Sequence, residues 1–217
     1  MMRSLTRFAV LLCLCGPGWV LAQEADRVFT IDGGASDIHW LVYKAGALSR
    51  LGHNHAIAVP SPQGRVTVHA QDLAESRFEI VIPVADLVID DPKLRSGLGE
   101  QFSSVPTADD IAGTRKNMLS DRVLNGEKFP QIRVTGVGPY GAAGAQTFKM
   151  KVELLGRSID LTVPTKVTVT DDRVEASGEF ELNHADLGMQ PFSVMMGALQ
   201  VGEKLSFSYH VVARPAR

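Results

Sequence analysis

The stretch Phe148-Lys149-Met150-Lys151-Val152-Glu153-Leu154 alternates apolar and charged residues without interruption. A period of two is that of a β-strand with one face in an apolar interior and the other in water. The same alternation recurs along the chain, in Ile38 to Val42, Phe78 to Val84, Ile159 to Val163 and Leu205 to Val211. About eight strands of this kind need either two stacked sheets or one sheet closed on itself, and a closed sheet would line a cavity.

The connections between these strands are mostly short turns, such as Asp171-Asp172, which favours antiparallel pairing. The alternation stops between Asp90 and Asn125, where the residues are better helix formers and Thr107 can cap a helix. We therefore predict one or two short helices packed at one end of an antiparallel sheet.

The N-terminal segment is typical of a secretory signal peptide. Arg3 and Arg7 precede a short apolar run, and Val20-Leu21-Ala22 fits a small-residue cleavage site. We predict a signal peptide over residues 1–22 and one exported, periplasmic domain over residues 23–217. Removing Arg3 and Arg7 would take the formal net charge from −2 to −4, a mild balance that argues against a nucleic-acid partner.

Several short motifs, weak singly but specific in their order and spacing, resemble those of one family. They are Phe29-Thr30-Ile31-Asp32, Ser36-x-Ile38-x-Trp40-x-Val42, Lys128-Phe129-Pro130-Gln131-Ile132, Leu154-Leu155-Gly156-Arg157-Ser158-Ile159 and Ala185-Asp186-Leu187-Gly188. With these motifs the mature chain resembles the YceI-like family of periplasmic polyisoprenoid-binding proteins over essentially its whole length.

The resemblance implies a fold that the residues alone leave open between a sandwich and a barrel. That fold is all-β: an antiparallel, lipocalin-like β-barrel of about eight strands, with one or two short helices packed at one end and a long lipid-binding tunnel. The chain departs from the family in three places: Lys44 stands where a histidine is frequent, His184 stands where an arginine is frequent, and the stretch Gly52-His53-Asn54-His55 is not part of the family's pattern. These departures bear on the head group of the ligand and not on the fold.

Side-chain parity places a row of large apolar residues on the inward face of the strands. These candidate ligand-binding residues are Ile38, Trp40, Val42, Phe78, Ile80, Ile82, Ile132, Val134, Phe148, Met150, Phe180, Phe207 and Tyr209. From the sequence alone they could fill the interior, as side chains do in small barrels. The family resemblance implies instead that they line a tunnel.

Four polar residues share the inward phase near strand ends: Lys44, His53, His55 and His184. Three interpretations stay open for them. The imidazoles could be structural and bond backbone groups where strands bend. They could, with Lys44, recognise the polar end of an apolar ligand, such as a quinone carbonyl or a phosphate. His53, His55 and His184 could also bind a metal, since His-x-His on a strand puts two imidazoles on one side.

Catalytic motifs are missing from the sequence. It has no Gly-x-Ser-x-Gly elbow and no phosphate-binding glycine loop. The acid pairs Asp90-Asp91, Asp109-Asp110 and Asp171-Asp172 are interpreted as turn and cap residues.

We therefore expect an exported lipid-binding protein that is not an enzyme, requires no cofactor, and carries a polyprenol or a quinone-type lipid. A metal-binding protein or metal-dependent enzyme is the alternative function. A barrel that docks transiently onto a membrane or a membrane redox protein is a third interpretation, and a homodimer is left open.

Overall fold

A computed structural model describes residues 25–216 of the chain, so the predicted signal peptide over residues 1–22 lies outside the described residues. Within the described range there are twelve strands: β1 (Arg27–Ile31), β2 (Asp37–Ala45), β3 (His55–Ala58), β4 (Gln63–Val68), β5 (Arg77–Pro83), β6 (Val88–Ile89), β7 (Gln131–Tyr140), β8 (Gln146–Leu154), β9 (Arg157–Val169), β10 (Val174–Asn183), β11 (Ser193–Val194) and β12 (Leu199–Pro215). Two α-helices are present in it, α1 (Pro92–Ser96) and α2 (Ala108–Leu119). Short 3-10 segments lie at Ser49–Leu51, Leu73–Glu75, Val84–Asp86, Glu100–Phe102, His184–Leu187 and Met195–Gly197.

The sheet closes on itself into an antiparallel barrel. Eight strands follow one another around the ring in the order β1, β4, β5, β7, β8, β9, β10 and β12, and β12 pairs with β1 to complete it. The long strand β12 also pairs with β2, which continues to β3 and β6, while β11 pairs with β12. The predicted barrel of about eight antiparallel strands is therefore confirmed, with four further strands attached to it.

Strand register gives the barrel two distinct ends. At one end lie the loops 46–54, 84–130, 155–156 and 184–198, with both α-helices; we call this the helix-bearing end. At the other end the β4–β5, β7–β8 and β9–β10 connections turn the chain over residues 69–76, 141–145 and 170–173; we call this the hairpin end.

Helix α2 begins where the sequence predicts. The Thr107 hydroxyl accepts a hydrogen bond from the Asp110 N–H at 3.2 Å, and the Asp110 carboxylate accepts one from the Thr107 N–H at 2.8 Å. This reciprocal capping box satisfies two N–H groups that the helix itself leaves unpaired. Arg115 ties the helix to the residue just before β6 by donating to the Leu87 carbonyl at 2.7 Å. No helix of the described chain is both long and apolar enough to cross a membrane.

Some details of the strands differ from what the alternation in the sequence predicts. Strand β12 begins at Leu199, six residues before its clear alternation, because Gln200 and Val201 already pair with β2 across a register shift that ends at Leu205. Strand β7 shifts its register against β8 between Val137 and Tyr140, while Gly136 stays regularly paired with Phe78 and Met150. A Cβ at Gly136 would lie 2.3 Å from the Phe78 ring, so only glycine allows this close approach.

Candidate functional site

The barrel encloses one large cavity with a volume of about 470 Å³. We call it the central cavity. Its wall includes Lys44 and Gln200 at the helix-bearing end and Arg77 and Gly138 at the hairpin end, so it extends along the whole barrel. The inward side chains therefore do not fill the interior completely, and its size falls within the range of small-molecule sites.

The thirteen apolar residues predicted from side-chain parity all lie on the wall of the central cavity: Ile38, Trp40, Val42, Phe78, Ile80, Ile82, Ile132, Val134, Phe148, Met150, Phe180, Phe207 and Tyr209. Cross-strand pairing brings the aromatic rings among them together. The rings of Phe180 and Phe207 stack with their centroids 5.0 Å apart, and Trp40 stacks on Phe207 at 6.2 Å. On the opposite side Phe78 and Phe148 meet edge to face at 5.0 Å. Such contacts hold rings in fixed positions.

Tyr209 contributes its ring to the wall but uses its hydroxyl elsewhere. The hydroxyl donates a hydrogen bond to the Pro164 carbonyl on β9 at 2.9 Å, and burial raises the pKa of this group. The polar atom of Tyr209 is thus already bonded within the barrel wall.

Other wall residues were not singled out from the sequence. Leu161 and Val167 on β9 line the cavity, as do Met118 on α2 and Val123 after it. The alternation around Leu161 could have identified it, whereas Met118 and Val123 reach the cavity only because the helical segment folds across the barrel end.

A buried cluster lies at the helix-bearing end, centred on Asp90. The Asp90 side chain is fully buried and accepts hydrogen bonds from His55 Nδ1 at 2.6 Å, from the Ala56 N–H at 2.9 Å and from Arg95 Nη1 at 2.5 Å. Burial by itself would raise the pKa of Asp90, but the hydrogen bond from His55, with those from Ala56 and Arg95, outweighs it and holds the pKa below its usual value. Asp90 is therefore ionised at neutral pH.

Asp90 lies in a bend, as predicted for a turn residue, but its carboxylate does not cap a helix. Its neighbour Asp91 does cap α1, by accepting a hydrogen bond from the Leu94 N–H. Asp90 has a positive φ of 57°, and its carboxylate turns inward to Arg95. Arg95 also donates to the carbonyls of Asn54, Phe102 and Ser104, so the pair fixes loops on both sides of α1.

His55 connects this buried cluster to the central cavity. Its Nδ1 faces Asp90, and its Nε2 lies 3.4 Å from the Thr114 hydroxyl on α2. Both His55 and Thr114 line the cavity, as does Asn117, one turn further along α2. Asp90, Arg95, Thr114 and Asn117 were missed because their roles depend on contacts between distant parts of the chain.

The other predicted polar residues also line the cavity, each with its own partner. Lys44 Nζ donates to the Gly52 carbonyl at 2.9 Å. His53 lies beside His55, with ring centroids 6.3 Å apart, and its ring nitrogens lie 3.3 Å from the Ser104 hydroxyl and 3.6 Å from the Asp110 carboxylate. His184 is buried, and its Nδ1 donates to the Glu203 carbonyl at 2.9 Å.

The metal interpretation of His53, His55 and His184 does not agree with these positions. In residues 25–216, no three His, Cys, Asp or Glu side chains are placed to hold a metal ion. His55 and His184 each use Nδ1 for a bond within the protein: His55 to Asp90, which follows β6, and His184 to the Glu203 carbonyl on β12. The His-x-His spacing does place the imidazoles of His53 and His55 side by side, but His184 does not lie with them as a third metal ligand.

The fold and the cavity together define a class of protein: a closed, lipocalin-like antiparallel barrel with an apolar internal cavity and a polar cluster at one end. Within that class, the chain belongs to the family of the YceI-like domain, whose model matches residues 29–213.

Solved structures show the same fold. BcnA of Burkholderia cenocepacia is similar with a TM-score of 0.60 and 13% identity, over 84% of this chain and 98% of that one. A polyisoprenoid binding domain from Saccharophagus degradans, implicated in plant cell wall breakdown, has a TM-score of 0.54 and 11% identity, over 87% and 98% of the two chains. The YCEI protein of Campylobacter jejuni has a TM-score of 0.52 and 10% identity, over 74% and 85%. No curated protein matches the sequence significantly.

Proposed function

We propose that the protein binds a long isoprenoid lipid, such as a polyprenol or a quinone, and sequesters or carries it without catalysing a reaction. The tail occupies the central cavity, and the polar end lies among His55, Thr114, His53 and Lys44. The observation that carries this proposal is the cavity itself: an apolar channel wall that runs from a polar end to a hairpin end and is not filled by side chains.

The energetics of such a site favour an extended apolar tail. Each methylene group transferred from water into an apolar wall contributes about 0.8 kcal/mol. Association and the ordering of a flexible chain oppose binding by roughly 4–15 kcal/mol. A tail of several isoprene units offsets that cost, so affinity depends mainly on the length of the tail that the wall covers.

Family membership and the N-terminal sequence support the same proposal. The chain is a YceI-like protein, and one structure of similar fold is described as a polyisoprenoid binding domain. The signal-like segment over residues 1–22 supports export, and we propose the periplasm as the compartment where the lipid is bound.

Exposed apolar residues surround the helix-bearing end, and we call them the apolar rim: Leu51, Val105, Met195 and Met196. Leu51 precedes Gly52 and Met195 follows Val194, and both of these neighbours line the cavity. The two loops are joined by a hydrogen bond from the Leu48 N–H to the Ala198 carbonyl at 2.8 Å. Val105 follows Ser104, which contacts His53. The rim therefore stands around the entrance beside the polar cluster.

We propose that this rim contacts a lipid bilayer transiently when the ligand enters or leaves. Met195 and Met196 have positive φ values of 51° and 55°, which non-glycine residues rarely adopt, and the two residues are 61% and 106% exposed. A backbone held this way presents two flexible apolar side chains to the outside, as a membrane contact requires. Binding to a membrane redox protein or to a second copy of the chain are the other outcomes that a vesicle assay distinguishes.

The carrier function is tested by isolating the protein from the periplasm of cells that produce it and weighing it by native mass spectrometry. We expect an added mass of several hundred daltons that extracts into organic solvent, and reloading of the extracted protein by added polyprenol or quinone. The test variant is Leu161→Trp, which places an indole inside the cavity and should not reload, and the matched control is Thr162→Trp on the outer face of β9. Repeated absence of a lipid, with no uptake of either added compound, would overturn the proposal.

A further inference from the structure

The hydrogen bond between His55 and Asp90 fixes which nitrogen of the imidazole carries the proton. An ionised carboxylate only accepts hydrogen bonds, and Asp90 Oδ2 lies 2.6 Å from His55 Nδ1. Nδ1 must therefore carry a hydrogen. In the neutral ring the other nitrogen, Nε2, is then an acceptor.

The charge of the cluster is already balanced without a charged imidazole. Arg95 donates to Asp90 at 2.5 Å, and both side chains are buried. A protonated His55 would add a second positive charge beside one carboxylate. The other titratable groups near the ring are His53 and the Asp110 carboxylate, which His53 faces. In the neutral form of His55 the hydrogen on Nδ1 is bonded to Asp90, and Nε2 keeps its lone pair.

The acceptor nitrogen faces the cavity next to a hydroxyl group. His55 and Thr114 both line the cavity, and Nε2 lies 3.4 Å from the Thr114 hydroxyl, which is long for a hydrogen bond from a hydroxyl group. A ligand hydroxyl beside the two groups could donate to Nε2 at an ordinary distance and accept a hydrogen bond from Thr114. The Asn117 amide lies one turn away on the same helix.

We infer that His55 Nε2, positioned by Asp90 and assisted by Thr114, is a head-group site selective for a neutral hydroxyl group. The inference rests on the proposed function and deepens it. The preferred ligands are isoprenoid alcohols, or quinols in place of quinones. A quinone carbonyl, an ether oxygen and a fully ionised phosphate are acceptors only, and each would face another acceptor at Nε2.

The test compares three ligands that share one tail: farnesol, farnesyl methyl ether and farnesyl phosphate. Their affinities are measured by displacement of a fluorescent apolar probe from the full-length mature protein. We expect farnesol to bind about tenfold more tightly than its methyl ether, because the ether lacks the donated hydrogen bond. In His55→Phe the two affinities should become equal within about twofold, while the affinity for the ether changes little.

Thr114→Val provides a second variant that leaves the Asp90 cluster untouched, in case His55→Phe does not fold. We expect it to lower the preference for farnesol by about threefold, with Thr162→Val on the outer face of β9 as the matched control. A short-tailed quinol and its quinone, compared without oxygen, repeat the test with a second pair, and the quinol should bind more tightly. The relative affinities of that quinol and of farnesol then separate the two sources of a hydroxyl group.

The outcomes separate failure of this inference from failure of the carrier function. If none of the ligands binds, the proposed function is overturned. If farnesol and its ether bind equally to the unaltered protein, the carrier function stands and the head-group site is overturned. Tighter binding of farnesyl phosphate, lost in Lys44→Ala, would also overturn it and would assign the head group to the exposed cation at the entrance.

Discussion

The two ends of the barrel use charged residues in opposite ways. At the hairpin end, Arg27 pairs with Asp171 and His210 with Glu175, and all four side chains are exposed by 30% or more. At the helix-bearing end, Asp90 pairs with Arg95 and His55, and the carboxylate has no exposure to solvent. Exposed pairs contribute little to stability, whereas breaking a buried pair leaves an uncompensated charge. The difference shows where the fold depends on polar contacts.

Removing one carboxylate at each end should give the largest contrast. Asp90→Ala leaves Arg95 buried without its partner and places alanine at a positive φ, so we expect a loss of about 3–5 kcal/mol in the free energy of unfolding. Asp171→Ala should change it little, because that carboxylate is fully exposed. Urea unfolding followed by circular dichroism measures both. Equal losses at the two ends would show that the Asp90 cluster does not hold the fold.

The middle of the barrel, between the two ends, should govern affinity for the tail. Leu161→Trp introduces a large ring into the cavity, and we expect it to weaken polyprenol binding about 100-fold by removing the space that several methylene groups occupy. Thr162→Trp, the next residue on β9, points outward and should bind the lipid normally. Fluorescence titration gives both affinities, and a similar loss in the two variants would contradict an internal binding site.

The sequence predicts the regular part of the molecule better than the helix-bearing end. Alternation identifies the ring strands because one face of each is buried, and Thr107 identifies the start of α2 through its cap. Parity also brings Lys44, His53, His55 and His184 to the cavity wall. Side-chain parity cannot predict which group each of these polar side chains bonds to.

Asp90 and His184 illustrate the missing information. In the sequence Asp90 cannot be distinguished from its neighbour Asp91. Only the contact with His55, 35 residues earlier, shows that Asp90 is the centre of a buried cluster and not a helix cap. His184 shares the side-chain parity of β10, which it directly follows. Its Nδ1 is bonded to the Glu203 carbonyl on β12, so it does not join His53 and His55 as a metal ligand. Two-residue strands such as β6 and β11 carry no periodicity at all, since they are defined by their pairing.

Exposed apolar residues allow a third comparison between the ends. The double variant Met195→Ser, Met196→Ser should lower partitioning onto phosphatidylcholine vesicles about tenfold, because two methionine side chains no longer enter the bilayer. Val28→Ser changes an exposed apolar residue at the hairpin end and should have no effect. Vesicle sedimentation measures the bound fraction. Unchanged partitioning in the double variant, with a loss of self-association in solution, would assign the rim to a second copy of the chain.

Acid should distinguish the two histidine–carboxylate pairs by the smallest of these effects. The pKa of Asp90 and that of Glu175 are both lowered in the folded protein, the latter chiefly by the hydrogen bond from His210. A lowered pKa contributes stability that is present above the ordinary carboxyl pKa and is lost as pH falls through the folded-state value. His55→Phe removes a bond that lowers the pKa of Asp90, so its free energy of unfolding should fall less between pH 5 and pH 3 than that of the unaltered protein. We expect the difference to stay below about 1 kcal/mol.

His210→Phe should alter this acid dependence less than His55→Phe, because water already screens the pair at the hairpin end. Urea unfolding at the two pH values measures the change, and a larger effect from His210→Phe would reverse the assignment of the buried charge to the helix-bearing end.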